Sequence, residues 1–131
     1  MLKTLACCMV CSMIASTVVL AHHSYADYNR DRKLSIEGTI DQLTLGNPHA
    51  ILTVRTDEGT VFTAEWGSAV QLNRTGVVAG MLAVGDRVIV TGSPWREPSI
   101  HRLSLIIEIV RPRDGWRWSR EAGVGVRPRQ S

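Results

Sequence analysis

Cysteine is absent from almost the whole chain, because Cys7, Cys8 and Cys11 all lie close to its start. The remainder therefore has no disulfide and no thiolate nucleophile. The sequence also lacks a serine in a nucleophile elbow, a glycine-rich phosphate loop and the histidine–glutamate spacing of zinc metalloproteases. These absences exclude the common hydrolase and nucleotide-binding motifs. We therefore expect a protein that is not an enzyme, and we assign no catalytic residue.

Long apolar runs are also scarce, and the one that stands out covers residues 5–20. It follows Lys3 and ends at Ala21, so it has the basic start, apolar centre and small cleavage residue of a secretory signal peptide. A retained membrane anchor is the less favoured alternative, because a span needs about 20 apolar residues. A lipoprotein signal is not favoured, since the cysteines do not follow the run. We predict that residues 1–21 are a signal peptide and that the protein is periplasmic or secreted.

The rest of the chain predicts one all-β domain. Apolar and polar residues alternate with the period of half-buried strands, and Ser68 and Gly76 bracket a short helix as its caps. The predicted strands are residues 34–45, 50–56, 61–66, 86–92 and 101–110, and the helix at 68–75 lies between strands three and four. Residues 116–118 predict a short sixth strand at an edge. This order is typical of the OB-fold, a five-stranded Greek-key barrel. An SH3-like barrel or a small sandwich is the alternative.

Two irregularities are predicted within strand one, and one regular face is predicted for strand five. Gly38 indicates a bend or bulge. The apolar phase shifts after Ile40, which predicts one extra residue near Asp41 and Gln42. In strand five, period-two alternation predicts an inward row made of Leu103, Leu105, Ile107 and Ile109.

Two polar segments flank the predicted barrel of residues 34–118. Residues 22–33 lack periodicity and predict an arm that Tyr25 and Tyr28 anchor, with a frayed terminus as the equal alternative. Residues 119–131 are rich in glycine, proline and arginine, which predicts a basic, disordered tail. Weak contact of this tail with anionic lipid is one hypothesis, and a merely solvated tail is the other. Export argues against nucleic acid as a partner.

Three short motifs stand out in the sequence: Ala-His-His-Ser at 21–24, Asn-Pro-His-Ala at 47–50 and Ala-Val-Gly-Asp-Arg-Val at 83–88. Together they resemble a family of small exported bacterial proteins, the domain-of-unknown-function family 6152. The resemblance implies export and a small barrel, and it implies no activity. Relatives usually carry tryptophan where this chain has Leu45, Ile51 and Val77. If those aromatic residues stack on a ligand in relatives, that surface is weakened here.

Histidine is the residue type best placed to carry chemistry. The four histidines are His22, His23, His49 and His101. After cleavage, the first would offer an amine and an imidazole to one metal ion, and nitrogen ligands suit copper(II) and zinc. His49 and His101 adjoin loops that border one face of an OB-fold. We hypothesise a copper or zinc site made from His22, His23 and His49, with His101 as an optional further ligand. The alternative is a solvated terminus and a histidine that caps a turn.

Two further residues are candidates for contact with a small ligand. Asn47 precedes a proline and favours a turn, or it orients His49. Trp95 lies between Pro94 and Pro98, and it either stacks on a ligand ring or covers the barrel end, the latter being favoured. The prediction is an exported module that binds a metal ion or a small ligand. The alternative is an envelope interaction or stress adaptor without metal, which uses the barrel edge or the Trp/Arg-rich tail.

Overall fold

The computed structural model describes residues 25–126. Within this range the chain forms a 3-10 turn, seven strands and one short α-helix. In chain order these are the turn Tyr25–Asp27, β1 (Leu34–Thr44), β2 (Ile51–Arg55), β3 (Val61–Glu65), α1 (Ala69–Arg74), β4 (Arg87–Pro94), β5 (Arg102–Arg111), β6 (Trp116–Ser119) and β7 (Gly123–Val126). The predicted signal peptide lies outside the described residues. No helix within residues 25–126 is long and apolar enough to cross a membrane.

Five of the strands form a closed barrel. The sheet order is β3-β2-β1-β4-β5, and a parallel pairing between β3 and β5 closes it. The long strand β1 pairs with β4 along its first half and with β2 along its second half. The helix lies between β3 and β4, so the predicted OB-like architecture is confirmed. β6 and β7 extend the sheet beyond β5.

The irregularities predicted for β1 are present. The register passes from Ile40 to Gln42 across consecutive residues of β2, which leaves Asp41 as the extra residue of a bulge. At Gly38 the two strands approach so closely that a β-carbon would lie 2.2 Å from the carbonyl oxygen of Arg55. Glycine is therefore required there by the close backbone approach. The bulge and the close approach both bend β1 around the barrel.

The helix α1 is short, and its ends are closed by local hydrogen bonds. At its start, the Gln71 N–H group donates to Ser68 Oγ (3.2 Å), and the Ser68 N–H group donates back to the Gln71 side chain (3.2 Å). At its end, Gly76 has φ of +92°, and the Val77 N–H group donates to the carbonyl of Leu72 at 2.9 Å. These are a capping box and a Schellman motif. Six residues would not hold a helix alone, so these caps and the burial of Leu72 and Val77 stabilise it.

The described chain does not follow the predicted alternation in β5. Thr91 pairs with Glu108 and Ser93 pairs with Ser104, so one residue of β4, Gly92, faces the three residues 105–107 of β5. β5 therefore contains a bulge of two extra residues at this point. The bulge moves the side chains out of phase, so Ile106 is buried whereas Leu105 and Ile107 are half-buried. The predicted inward row is therefore wrong at Leu105 and Ile107, because the bulge changes which residues face the core within its own length. Leu103 and Ile109, on either side of the bulge, are buried as predicted.

The C-terminal segment is ordered farther than predicted. β6 is not an edge strand, because β7 pairs with it in regular antiparallel register. β7 also touches α1: the Val124 N–H group donates to the carbonyl of Thr75 at 2.9 Å. The prediction of a disordered tail after residue 118 is therefore wrong for residues 119–126, since both sheet pairing and the helix end hold them. Residues 127–131 lie outside the described residues.

The arm before β1 is folded against one end of the barrel. Tyr28 is buried and forms a bridge with Trp95. The Asn29 N–H group donates to the carbonyl of Pro94, and the Arg96 N–H group donates to the carbonyl of Asp27, both at 2.8 Å. These bonds tie the arm to the loop between β4 and β5. Only its part from residue 25 onward belongs to the described chain.

Candidate functional site

A cleft of about 480 Å³ lies beside α1. Its walls come from the end of β3, from α1, from the bulge of β5 and from β6. This volume falls within the range of small-molecule pockets, which run from about 300 to 1,000 Å³. The cleft therefore has room for a molecule of one or two rings.

The floor of the cleft is apolar and aromatic. Trp66, Leu72 and Trp118 line it and are almost fully buried. The two indole rings meet edge to face, with 5.1 Å between centroids and 83° between planes, which is a favoured aromatic geometry. Leu105 and Ile106 complete the apolar lining. A ligand that enters would thus exchange water for apolar contacts.

A hydrogen bond joins the two long walls of the cleft. The Trp118 Nε1–H group of β6 donates to Thr75 Oγ1 at the end of α1 (2.9 Å), and the same hydroxyl donates to the carbonyl of Leu72 (2.9 Å). The backbone of Thr75 also accepts from Val124, as described above. The cleft is consequently built into the fold, and no rearrangement is needed to form it.

The lining of the cleft contains both a strained backbone residue and an unpaired buried donor. Leu105 has φ of +49°, and it is the one non-glycine residue with positive φ among residues 25–126. Such a conformation costs about 1–3 kcal/mol and is found disproportionately at functional sites. The buried Nε1–H group of Trp66 has no hydrogen-bond partner within the described chain. Buried donors are seldom left unpaired. The positive φ of Leu105 and the unpaired donor of Trp66 are therefore two unusual features of the cleft lining.

Glu65, the carboxylate that lines the cleft, already forms an ion pair and a hydrogen bond with other residues of the barrel and arm. Glu65 is only 6% exposed, and it pairs with the guanidinium of Arg102. The Tyr28 hydroxyl donates to the same carboxylate at 3.3 Å. Burial, together with the negative charge of Glu65, raises the pKa of Tyr28 to about 12. Glu65 therefore serves to fix the arm and β5 against β3 and contributes little free negative charge to the cleft.

The rim of the cleft carries positive charge. Arg74 of α1 and Arg120, which follows β6, both line the cleft and are exposed. Neither forms an ion pair with any other residue between 25 and 126. The half-buried His49 lines the cleft as well. The arrangement is an apolar floor with cationic side chains at its opening.

The structure does not bring His49 and His101 together. The carbonyl of His101 accepts from the Thr63 N–H group, whereas the residue after His49, Ala50, donates to the carbonyl of Gly67. Thr63 and Gly67 are four residues apart along the same extended segment, which is about 13 Å. Within residues 25–126 no three His, Cys, Asp or Glu side chains are grouped so that they could hold a metal ion. A metal site that uses both histidines is therefore not formed by the described chain.

Of the other predicted metal residues, His101 belongs to the described chain, and it does not line the cleft. The ring of His101 is exposed and packs on Phe62, with 5.1 Å between centroids. His22 and His23 lie outside the described residues. Tyr25, however, lines the cleft, and His22 precedes it by only three residues.

Asn47 and Trp95 have structural contacts. The Val70 N–H group donates to Asn47 Oδ1 at 3.5 Å, which ties the loop after β1 to the start of α1, and the Asn47–Pro48 peptide bond is cis. Trp95 is half-buried, meets Tyr28 edge to face at 4.9 Å and lies 5.6 Å below the Arg102 guanidinium. It covers the barrel end and does not line the cleft.

Sequence reasoning missed most residues of the cleft. Trp118 was assigned to an edge strand, and Arg120 to a disordered tail. The pattern Trp-Arg-Trp after the Asp114–Gly115 turn was the signal that could have placed Trp118 in a wall, because aromatic residues two apart face the same side of a strand. No local signal marks Leu105, since its conformation arises from a bulge against β4.

Comparison with known proteins gives a family and no activity. No curated protein matches the chain. The model of a family described as "Family of unknown function (DUF6152)" matches residues 9–104, and the match ends where the bulge of β5 begins. The β6 wall of the cleft therefore follows the matched region. Because the match covers most of the sequence, the chain belongs to this family of unknown function.

Proposed function

We propose that this protein is an exported binding module that holds a small, largely apolar molecule in the cleft beside α1. The observation that carries the proposal is the aromatic floor made by Trp66 and Trp118 in a cleft of small-molecule size. Both rings are almost fully buried, so the protein already holds them rigidly, and little side-chain entropy is lost when a ligand packs on the parts that line the cleft.

The chemistry of the cleft supports binding more than catalysis. General acid–base work needs a carboxylate or imidazole that can exchange a proton with the substrate. Glu65 is held at Oε1 by Arg102 and by the Tyr28 hydroxyl, so proton exchange with a substrate would disrupt an ion pair. The His49 imidazole also lines the cleft, but among the described lining residues there is no second carboxylate to orient it. No cysteine follows Cys11, and Ser104 lies within a strand. Export is part of the same proposal and is supported by the signal-like run at residues 5–20.

A helix-face pair of variants tests the proposal. Gln71 and Val70 are exposed neighbours on α1, but only Gln71 lines the cleft. Binding of 2-naphthamide is measured by calorimetry on the exported protein. We expect Gln71→Phe, which fills the cleft, to weaken binding at least about 10-fold, and Val70→Phe to leave it unchanged. Equal effects of the two variants, or no saturable binding to the parent protein, would overturn the proposal.

A metal ion is the second candidate, favoured by one observation: Tyr25 and His49 line the same cleft. Three residues span at most about 11 Å, so the chain length from Tyr25 allows His22 to reach the cleft. In this version a mature N-terminal His22, with His23 and His49, binds copper or zinc. His101 is not included, because it lies elsewhere on the barrel.

The histidines provide their own control for the metal. Copper(II) binding is measured by calorimetry on protein whose mature start at His22 has been verified by mass spectrometry. We expect His49→Ala to weaken binding about 10-fold or more and His101→Ala to have no effect. Affinity weaker than tens of micromolar in the parent protein, or equal loss in both variants, would exclude this site. Failure of both ligand classes would leave the envelope-adaptor alternative.

A further inference from the structure

We infer that the molecule held in the cleft carries an anionic group, such as a carboxylate, at one end of an aromatic or apolar body. This inference rests on the proposed function, since it names the class of ligand for the same cleft. Two observations carry it: two arginines line the cleft without an ion pair in the described chain, and the carboxylate that lines the cleft is already paired with another arginine.

The two arginines at the cleft are not neutralised by the protein itself. Six arginines of the described chain form ion pairs with carboxylates, and they are Arg55, Arg87, Arg102, Arg111, Arg113 and Arg117. Arg74 and Arg120 do not pair with any carboxylate between residues 25 and 126, and among the unpaired arginines they are the ones that line the cleft. The rim therefore carries positive charge that remains for a ligand.

The two unpaired arginines come from different walls of the cleft. Arg74 is in the last turn of α1, whereas Arg120 follows β6, and both line the opening. Arg120 is held in place, because its Nη2 atom donates to the carbonyl of Ile106 at 2.9 Å and its backbone N–H group donates to that of Ile107. A guanidinium has five N–H groups, so several remain for a ligand.

Local negative charge does not cancel this rim. Glu65 is the carboxylate that lines the cleft, and the guanidinium of Arg102 already neutralises it. The remaining charge at the cleft is thus positive, and it lies beside the apolar floor. Guanidinium groups bind carboxylates with paired, charge-assisted hydrogen bonds, which are stronger than neutral ones. An amphipathic anion would place its apolar body on the tryptophans and its acid between the arginines.

A matched pair of probes tests the inference. Naphthalene-2-carboxylate and 2-naphthamide have nearly the same shape, and only the first is charged at pH 7. Calorimetry is done on the exported protein and on Arg74→Gln, Arg120→Gln and the control Arg32→Gln, which removes one charge from an exposed residue away from the cleft. We expect the carboxylate to bind at least about 10-fold tighter than the amide. Each cleft variant should lose most of this preference, and the control should keep it.

The amide separates failure of the inference from failure of the proposed function. Its affinity should be unchanged in all three variants, which also shows that they fold with an intact cleft. If both probes bind the parent protein equally, or if the preference survives both cleft variants, the inference is overturned while the binding function stands. If neither probe binds, the proposed function itself fails. Added salt should reduce the preference, because part of it is an interaction between exposed charges.

Discussion

Thr75 should contribute to stability out of proportion to its size, because its hydroxyl joins the two walls of the cleft. Thr75→Val keeps the shape of the side chain and removes the hydroxyl. Two hydrogen bonds are then lost, the one from Trp118 Nε1–H and the one to the carbonyl of Leu72, each 2.9 Å long. Trp118 is 5% exposed, so its donor cannot turn to water instead.

The expected cost follows from these two bonds. A buried donor left without a partner costs about 1–3 kcal/mol, and an ordinary intramolecular hydrogen bond contributes about 0.5–1.5 kcal/mol. The added methyl group recovers part of this by apolar contact. We expect Thr75→Val to lower the free energy of unfolding by about 2–3 kcal/mol, which is a large share of the 5–15 kcal/mol of an ordinary domain.

Urea unfolding, followed by tryptophan fluorescence, measures this change. With a slope of about 2 kcal/mol per molar for a domain of this size, the midpoint should fall by about 1 M. A double-mutant cycle with Trp118→Phe, which removes the donor, isolates the bond between the walls. In that background Thr75→Val should cost only about 1 kcal/mol. Thr44→Val, at an exposed strand position, is the control and should change stability by less than about 0.5 kcal/mol.

Two outcomes would contradict a stabilising bond between Thr75 and Trp118. If Thr75→Val costs the same with tryptophan or phenylalanine at position 118, the hydroxyl and the indole are not coupled. A change no larger than that of Thr44→Val would show that the hydrogen bonds contribute nothing net. Either result would remove the claim that the fold holds the cleft open in advance.

Three further predictions concern the barrel and its helix. Ser68→Ala removes the N-cap of α1 and should lower the free energy of unfolding by about 1 kcal/mol in urea, with Ser68→Thr as a milder control. Gly38→Ala places a β-carbon 2.2 Å from the Arg55 carbonyl oxygen, so we expect a loss of about 3 kcal/mol or more, or no folded protein, by circular dichroism. Burial raises the pKa of Asp86, but hydrogen bonds from Arg111 and from the Ala83 N–H group, together with the charges of Arg111 and Arg113, outweigh it and lower the pKa overall. This contribution to stability is present above the unfolded pKa of about 4, and it is lost as the pH falls through the lower folded value. Asp86→Asn should therefore flatten the fall in the free energy of unfolding between pH 5 and pH 2. Equal slopes in the variant and the parent protein would contradict this.

The barrel could be predicted because its signals are local. Strand alternation, the Ser68 and Gly76 caps and the phase shift after Ile40 each depend on a few neighbouring residues. The structure confirms the strand order, the helix between β3 and β4 and the bulge at Asp41. These features follow from propensity and hydrophobic period, so the sequence alone carries them.

The features that failed depend on residues distant in sequence. The phase of β5 is set by its bulge opposite Gly92, where a β-carbon would lie 2.7 Å from Ile106 Cδ1 and 2.8 Å from the Ser104 carbonyl. β7 is a strand because β6 and the carbonyl of Thr75 supply its hydrogen bonds, although its composition suits a flexible tail.

The cleft could not be predicted for the same reason. Its floor joins Trp66, which follows β3, with Leu72 of α1 and Trp118 of β6, and the arginines at its rim come from two walls. The histidine hypothesis therefore included His101, which does not line the cleft. Of the described residues chosen there as ligands, His49 is the one that lines the cleft.

The indole N–H groups offer the most direct test of the central claim, that the cleft beside α1 binds a small molecule. The chain has four tryptophans, of which Trp66 and Trp118 line the cleft and Trp95 and Trp116 do not. Naphthalene-2-carboxylate is titrated into nitrogen-15-labelled protein, and the four indole signals are followed by NMR. Our account predicts saturable shifts of Trp66 and Trp118 that exceed those of the other two. Shifts confined to Trp95 or Trp116, or none that saturate, would contradict it.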